Sequence, residues 1–87
     1  MDKQWIVYIL QCSDGTLYTG ITHNLSRRLT AHNSGKGAKY TRCRRPVSIA
    51  YTEPCADKSH ALRREFQIKQ LNRSEKLALC SDFVMEE

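Results

Sequence analysis

Long apolar segments and an export signal are both missing from this chain of 87 residues. No apolar run approaches the roughly 20 residues that a helix needs to cross a bilayer. The amino terminus, Met1-Asp2-Lys3-Gln4-Trp5, lacks the basic region and the apolar region of a signal peptide. These absences predict a cytoplasmic protein that makes no membrane contact.

Two familiar motifs for metal and nucleotide sites are missing as well. The four cysteines never occur in a C-x-x-C spacing, which excludes the usual zinc-knuckle and thioredoxin-like motifs. An even number of cysteines could form two disulfides, but these persist in oxidising compartments, so we expect reduced and mostly packed thiols. Gly35-Lys36 has neither the upstream glycine nor the following Ser or Thr of a Walker A loop, so nucleotide hydrolysis is not expected.

Acidic residues are missing from a long central part of the chain. None occurs between Asp14 and Glu53, an interval that carries seven lysines and arginines. The whole chain has 14 basic and 9 acidic residues and a formal net charge of +5. Such segregation predicts a positive surface, and nucleic acid is the commonest polyanion that binds one. From composition alone, a solvated basic face without a partner is an equally good interpretation.

The pattern of apolar and turn residues predicts one domain over residues 1–87, with a core over about 4–80. Strands are expected at 5–10, 16–21 and 47–52, with the first buried on both faces because its apolar run is continuous. Pro54 is expected to end the third strand, since proline cannot donate to a sheet.

Three helices complete the predicted outline. Asn24 caps the first, which ends within 34–37, the second covers about 57–72, and the third begins near Ser74. The order ββαβαα predicts an α/β fold of the α+β type, a small three-stranded antiparallel sheet flanked by helices.

The first two strands form a hairpin whose register decides where two tyrosines point. A three-residue loop at 13–15 pairs Leu10 with Tyr18. Tyr8 then lies opposite Gly20, and both tyrosines share one face. A two-residue turn would put them on opposite faces. Tyrosine is common in strands, so it is the shared face that suggests a functional site.

The second long helix carries a carboxylate, Glu65, between two groups of apolar residues. These are Ala61 and Ile68 on one side and Leu62 and Phe66 on the other. A carboxylate on a core-facing stripe is costly unless it is paired or binds a cation. An ion pair with Lys69, four residues later, and a role as metal ligand or catalytic acid both remain open.

The first helix places Arg28 and His32 four residues apart, where both can point toward the tyrosine face. Arginine suits phosphate and histidine can transfer protons near neutral pH, although such a pair is usually surface decoration.

In their order and spacing, these residues resemble the GIY-YIG nuclease domain. The matching pieces are Tyr8, Tyr18-Thr19-Gly20 ten residues later, 24–28, and Glu65 on a helix. The runs 34–39, 61–65 and 69–71 are similar to those of small stand-alone members, and the resemblance covers about 4–80. It implies an α/β sandwich and metal-dependent cleavage of phosphodiester bonds, with Mg²⁺ or Mn²⁺ as the metal.

The resemblance also implies a role for each matching residue. Tyr8 is the general base, Tyr18 positions the phosphate or the water, and Arg28 stabilises charge on the phosphate. Glu65 is the metal ligand, and His32 takes part in proton transfer. A phenol with a pKa of about 10 is a poor base at neutral pH, so His32 is an equally good candidate for the base.

The expected substrate is DNA, bound with little sequence specificity because phosphate contacts do not read sequence. The residues expected to contact it are Gly20, Arg27, Lys36, Lys39, Tyr40, Arg42 and Lys69. Tyr40 is expected to stack on a base. A protein partner for targeting and a monomer or weak dimer are also expected.

Three features depart from the family pattern. A downstream asparagine of larger members has no secure match, since Asn72 lies closer to Glu65 than that pattern expects. The first triplet reads Ile6-Val7-Tyr8, without the leading glycine, and Ile21 occupies the position of a lysine in many members. A catalytically weak or inactive nucleic-acid-binding module, or an adaptor that acts with a partner, therefore remains an alternative interpretation.

Overall fold

The structure, a computed structural model, describes residues 4–81. Its elements are β1 (Trp5–Gln11), β2 (Leu17–Thr22), α1 (Leu25–Asn33), α2 (Lys39–Arg42), β3 (Ser48–Cys55), α3 (Lys58–Lys69) and α4 (Arg73–Ser81). The three strands form one antiparallel sheet in the order β2-β1-β3. The predicted fold class is confirmed, and the four-residue helix α2 is an addition within a stretch without a predicted element.

The central strand β1 contributes to two cores, one on each face of the sheet. Val7 and Ile9 pack with Ala61 and Ile68 of α3 on one face. On the other face, Tyr8 and Leu10 pack with Leu25 and Leu29 of α1. The sheet therefore lies between two layers of helices, and the prediction that β1 is buried on both faces is confirmed.

Of the two hairpin registers that the sequence left open, the structure has the one with the three-residue loop. Gly15 has a φ of 85°, a left-handed conformation that glycine adopts without steric cost. Leu10 pairs with Tyr18, and Tyr8 pairs with Gly20. The two tyrosine rings consequently share a face, with their centroids 6.5 Å apart.

The third strand does not end where Pro54 led us to expect. β3 continues through Pro54 to Cys55, and Pro54 lies opposite Ile6. β3 is an edge strand, paired on one side only, and proline is tolerated there because a missing donor on the open side costs nothing.

Helix α3 buries one apolar side rather than the two predicted. Ala61 and Ile68 are fully buried, whereas the exposed fractions of Leu62 and Phe66 are 47% and 66%. A helix on a small sheet buries a single stripe, and Ala61 and Ile68 occupy it. Glu65 therefore lies at the edge of the packed face, half-buried rather than in the core.

Helix α1 begins and ends with the predicted chemistry. The Asn24 side chain accepts a hydrogen bond from the Arg27 N–H at 3.1 Å. After Asn33 the chain turns through Gly35, whose φ is 84°, and the Lys36 N–H donates to the Ala31 carbonyl at 2.9 Å. This left-handed termination directs the chain back toward α2.

No helix within residues 4–81 is long and apolar enough to cross a membrane.

Candidate active site

A buried hydrogen bond between Tyr8 and His32 is the centre of the candidate site. The Tyr8 hydroxyl oxygen lies 3.0 Å from His32 Nε2, and the exposed fractions of the residues are 1% and 0%. His32 follows Leu25 and Leu29 at helical spacing, so it takes the next position on the stripe of α1 that faces the sheet. The structure therefore brings together the two residues between which the sequence could not choose a base.

Gly20 makes room for the Tyr8 phenol. A Cβ atom at Gly20 would lie 2.6 Å from the Tyr8 hydroxyl oxygen and 2.7 Å from its Cζ, closer than real Cβ contacts allow. Gly20 is buried, although the sequence suggested that it contacts nucleic acid. Its structural role is to let the phenol lie across the backbone of β2.

The other ring nitrogen of His32 faces α2. His32 Nδ1 lies 2.8 Å from Thr41 Oγ1, and the Thr41 hydroxyl donates to the Ala38 carbonyl at 3.0 Å. Gly37 packs directly on the imidazole, since a Cβ atom there would collide with Nδ1. Neither contact is predicted from the sequence, in which Gly35 and Gly37 indicate only a helix end and Thr41 has no assigned role.

Arg28 supplies positive charge beside this pair. Burial raises the pKa of Tyr8 above its usual value, despite an opposing hydrogen bond to the Arg28 side chain. Burial also lowers the pKa of His32, and the Arg28 charge lowers it further. His32 is therefore neutral near pH 7 and can accept a proton.

Glu65 lies on α3, which packs on β1 and β2. Its negative charge makes a minor contribution to the raised pKa of Tyr8, after the effect of burial. The predicted ion pair is present, with Lys69 Nζ 3.5 Å from Glu65 Oε2. The carboxylate thus has a partner without being sealed in the core, since 20% of the side chain is exposed.

The donor set around Glu65 fits Mg²⁺ rather than zinc. Residues 4–81 contain no group of three or more His, Cys, Asp and Glu side chains that could hold a metal. Zinc sites usually need three or four protein ligands. Mg²⁺ is commonly held by one or two carboxylates together with waters and substrate phosphate oxygens, so Glu65 suffices as a protein ligand.

Tyr18 and Tyr40 form an aromatic stack next to His32. The Tyr18 centroid lies 5.3 Å from that of His32 and 5.8 Å from that of Tyr40. Arg44 places its guanidinium carbon 4.1 Å from the Tyr40 centroid and forms an ion pair with Asp14 at 3.1 Å. Tyr40 was expected to be available for a nucleic-acid base, but its ring already has both an aromatic and a cationic partner.

The basic residues of the central interval fall into two groups. Arg44 and Arg45 hydrogen-bond to backbone carbonyls, through Arg44 Nη1 to Tyr40 at 2.8 Å and Arg45 Nε to Arg42 at 2.9 Å. Other cations in the interval are exposed and form no ion pair within residues 4–81: Arg27, Lys36, Lys39 and Arg42. All four are among the predicted nucleic-acid contacts, whereas Lys69 is paired with Glu65.

Two clefts flank this site. One, of about 250 Å³, is lined by Thr22, His23, Asn24, Arg27, Arg28 and Ala31. The other, of about 200 Å³, is lined by Thr16, Leu17, Tyr40, Arg73 and Lys76. The first contains the arginine expected to bind phosphate. The basic residues of the second come from α4, where the sequence predicted only a helix.

A sequence model described as the GIY-YIG catalytic domain matches residues 4–78. A UPF0213 protein of Desulfotalea psychrophila is 60% identical over 76 residues, which cover 86% of this chain and 69% of that protein. A UPF0213 protein of Staphylococcus saprophyticus is 50% identical over 82 residues, which cover 94% of this chain and 99% of that protein.

Two solution NMR structures are similar in fold and sequence. A UPF0213 protein from Bacillus halodurans matches with a TM-score of 0.58 and 46% identity, over 90% of this chain and 83% of that chain. A protein from E. faecalis matches with a TM-score of 0.62 and 39% identity, over 99% of this chain and 96% of that chain. Both likenesses extend over most of each chain.

Proposed function

This chain belongs to the GIY-YIG catalytic domain family, as its sequence pattern predicted, and we propose that it is a divalent-metal-dependent endonuclease that hydrolyses phosphodiester bonds in DNA. The observation that carries the proposal is the buried 3.0 Å contact between Tyr8 and His32, with Arg28 beside it. A proton-accepting pair next to a guanidinium is the arrangement that phosphodiester hydrolysis needs.

Arg28 and the exposed cations provide for phosphate binding. Arg28 lies in the 250 Å³ cleft, where its guanidinium can contact non-bridging oxygens of the scissile phosphate. Arg27, in the same cleft, and Lys36, Lys39 and Arg42 can contact neighbouring phosphates. Because such contacts carry no sequence information, the enzyme selects DNA structure rather than sequence.

Tyr8 cannot act as a preformed phenolate. Its pKa is raised above the usual value of about 10, so the phenol keeps its proton at neutral pH. The oxygen can accept a proton from water only as it loses its own to a neighbour. His32 Nε2 is the neighbour within hydrogen-bond distance. The two residues thus act together on the attacking water.

Glu65 is the residue that would hold Mg²⁺ or Mn²⁺, and the bound metal would lower the pKa of water and neutralise charge on the phosphate. Lys69 keeps the carboxylate in place, and Tyr18 stacks beside His32, where it can orient the phosphate or the water.

The test is a cleavage assay on labelled single-stranded, duplex and branched DNA, with Mg²⁺, Mn²⁺ or EDTA. Glu65→Gln and Tyr8→Phe should each lower cleavage by at least about 100-fold, the low end of what positioned proton transfer contributes. Matched controls are Glu75→Gln, which can retain the cap that Glu75 forms with Asn72, and Tyr51→Phe, a tyrosine packed on the opposite core. Cleavage that survives in Glu65→Gln, or in EDTA, would refute the assignment.

The unpaired cations also favour a second candidate, a nucleic-acid-binding module with slow turnover or none. That protein would bind DNA with a steep salt dependence, but no metal-dependent product would form. An adaptor would cleave only after its partner is added. RNA substrates in the same assay distinguish a DNA enzyme from one that accepts either polymer.

A further inference from the structure

We infer that Thr41 is a positioning residue that holds His32 in its Nδ1–H tautomer, so that Nε2 is the acceptor for the proton of Tyr8. The catalytic consequence rests on the proposed nuclease function, whereas the tautomer is a property of the free protein.

The hydroxyl of Thr41 has one proton to donate. It donates to the Ala38 carbonyl at 3.0 Å, whose second lone pair accepts the Thr41 N–H at 3.2 Å. The remaining capacity of Thr41 Oγ1 is therefore that of an acceptor. Since His32 Nδ1 lies 2.8 Å away, Nδ1 carries the hydrogen of that contact.

A neutral imidazole has a single N–H, so a protonated Nδ1 leaves Nε2 unprotonated. Nε2 lies 3.0 Å from the Tyr8 hydroxyl oxygen and must accept its proton. His32 is neutral because it is buried and faces the positive charge of Arg28. Each group on this path therefore donates to the next: Tyr8 to His32, His32 to Thr41, and Thr41 to the Ala38 carbonyl.

The surroundings of the imidazole leave Thr41 without a substitute. His32 and Thr41 are both fully buried. Gly37 packs against the ring so closely that even a methyl group would collide with Nδ1. Every buried side-chain nitrogen and oxygen within residues 4–81 has a hydrogen-bond partner, so the network is complete without added water.

The tautomer assigns the two candidate bases to two different steps. The attacking water gives a proton to the Tyr8 oxygen while the phenolic proton moves to His32 Nε2, which leaves a neutral phenol and an imidazolium. The hydroxide oxygen forms a bond to phosphorus, and the bond to the leaving oxygen breaks. That oxygen keeps the electron pair and takes a proton from solvent. With the opposite tautomer, Nε2–H would point at Tyr8 and no acceptor would remain.

The tautomer can be measured directly by long-range ¹H–¹⁵N NMR on the free protein near neutral pH. For His32 we expect the ¹⁵N chemical shift of Nδ1 to lie in the range of protonated ring nitrogens. The ¹⁵N chemical shift of Nε2 should lie in the range of unprotonated ones. His60 is an internal reference of opposite type, because its Nδ1 accepts the Ala56 N–H at 3.0 Å and must be unprotonated. A His32 spectrum like that of His60 would overturn the inference.

Two variants of Thr41 test the consequence. Thr41→Val removes the acceptor while nearly keeping the volume, and should lower kcat by at least about 100-fold while abolishing the Nδ1–H signature of His32. Thr41→Ser restores the hydroxyl and should recover kcat to within several-fold of the original protein. The backbone ¹H–¹⁵N spectrum shows whether each variant is folded. If Thr41→Val does not fold, the original protein and Thr41→Ser still decide the question.

The outcomes separate this inference from the proposed function. A folded Thr41→Val with unchanged kcat would refute the catalytic role of Thr41. If the original protein has the expected tautomer but cleaves nothing, the positioning by Thr41 stands and the nuclease proposal fails.

Discussion

The side chain of Asn33 pairs with the backbone of Val47 as a neighbouring strand would. Its Oδ1 accepts from the Val47 N–H at 2.7 Å, and its Nδ2 donates to the Val47 carbonyl at 3.1 Å. Asn33 is the last residue of α1 and Val47 directly precedes β3, so this contact closes the loop that contains α2. The location of Thr41 beside His32 therefore depends on a side chain outside α2.

Replacing Asn33 with alanine should destabilise the protein. Asn33→Ala leaves a backbone donor and acceptor of Val47 without a partner at a partly buried contact, so the free energy of unfolding should fall by about 1–3 kcal/mol. Urea unfolding measures the change. Ser34→Ala, at an exposed neighbour, is the control and should stay within about 0.5 kcal/mol. Equal losses in both variants would contradict the structural role of Asn33.

A methyl group at position 20 should disturb the candidate site more than its size suggests. In Gly20→Ala the Cβ atom must push the Tyr8 phenol away, so we expect a loss of about 1–3 kcal/mol in unfolding free energy. The contact of Tyr8 with His32 should also break, which would lower cleavage. Gly15→Asn is the control, since the position is open and asparagine tolerates its left-handed φ. A stable and active Gly20→Ala would show that the phenol is not confined.

Acidification should destabilise the protein through His32. Its pKa is lowered in the folded state, so the unfolded chain binds the proton more tightly. The stabilising contribution of His32 is complete above the ordinary value of about 6.5 and is lost as the pH falls through the folded-state pKa. Urea unfolding between pH 5 and 8 should show this loss in the original protein. His32→Gln should lack that part of the pH dependence. Parallel curves of stability against pH for the two proteins would contradict the role of His32.

The exposed cations should make the affinity for DNA depend on the salt concentration. Removing Lys39 or Arg42 by alanine substitution should weaken binding to duplexes of unrelated sequence equally and reduce the slope of log K against log salt by about 1 each. Fluorescence anisotropy at several salt concentrations measures both quantities. Lys58, whose ammonium lies 5.6 Å from the Trp5 ring centroid, is the matched control. A slope that falls as much in Lys58→Ala would mean that the positive charge acts without a defined interface.

The two apolar sides of α3 should differ sharply in their tolerance of substitution. Phe66→Ser changes a side chain that is already 66% exposed, so stability should change by no more than about 0.5 kcal/mol. Ile68→Ala creates a cavity in the core and should cost about 2–5 kcal/mol. Thermal or urea unfolding of the two variants measures this contrast. A large loss for Phe66→Ser would mean that the exposed side is covered in solution.

The parts of the fold that local chemistry controls were predictable from the sequence. The turn with Gly15 sets the hairpin register, and Asn24 sets the start of α1. The sequence also predicts that His32 faces the tyrosines, because it continues the stripe of Leu25 and Leu29. These features depend on residues a few positions apart, so spacing alone reveals them.

Other features depend on tertiary packing and were missed for that reason. The sequence shows that Phe66 is an apolar residue on a helix. Its exposure follows from the small sheet, which buries a single stripe of α3. Pro54 would end a central strand, but β3 is an edge strand and continues through it. Thr41 meets His32 because Gly37, Asn33 and Val47 fold the chain back, and none of these has a periodic pattern. Longer-range contacts of this kind leave no signal in a single sequence.

The central place of β1 has a consequence for how motion is distributed over the candidate site. This strand is hydrogen-bonded on both sides and supplies both cores, so we expect its inner amide hydrogens to exchange with solvent only when the whole molecule opens. Tyr8 is thus expected to lie in the slowest-exchanging part of residues 4–81. The exposed cations lie on short helices and loops that can open separately, so, under the proposed function, we expect their phosphate contacts to adjust while Tyr8 and His32 keep their geometry.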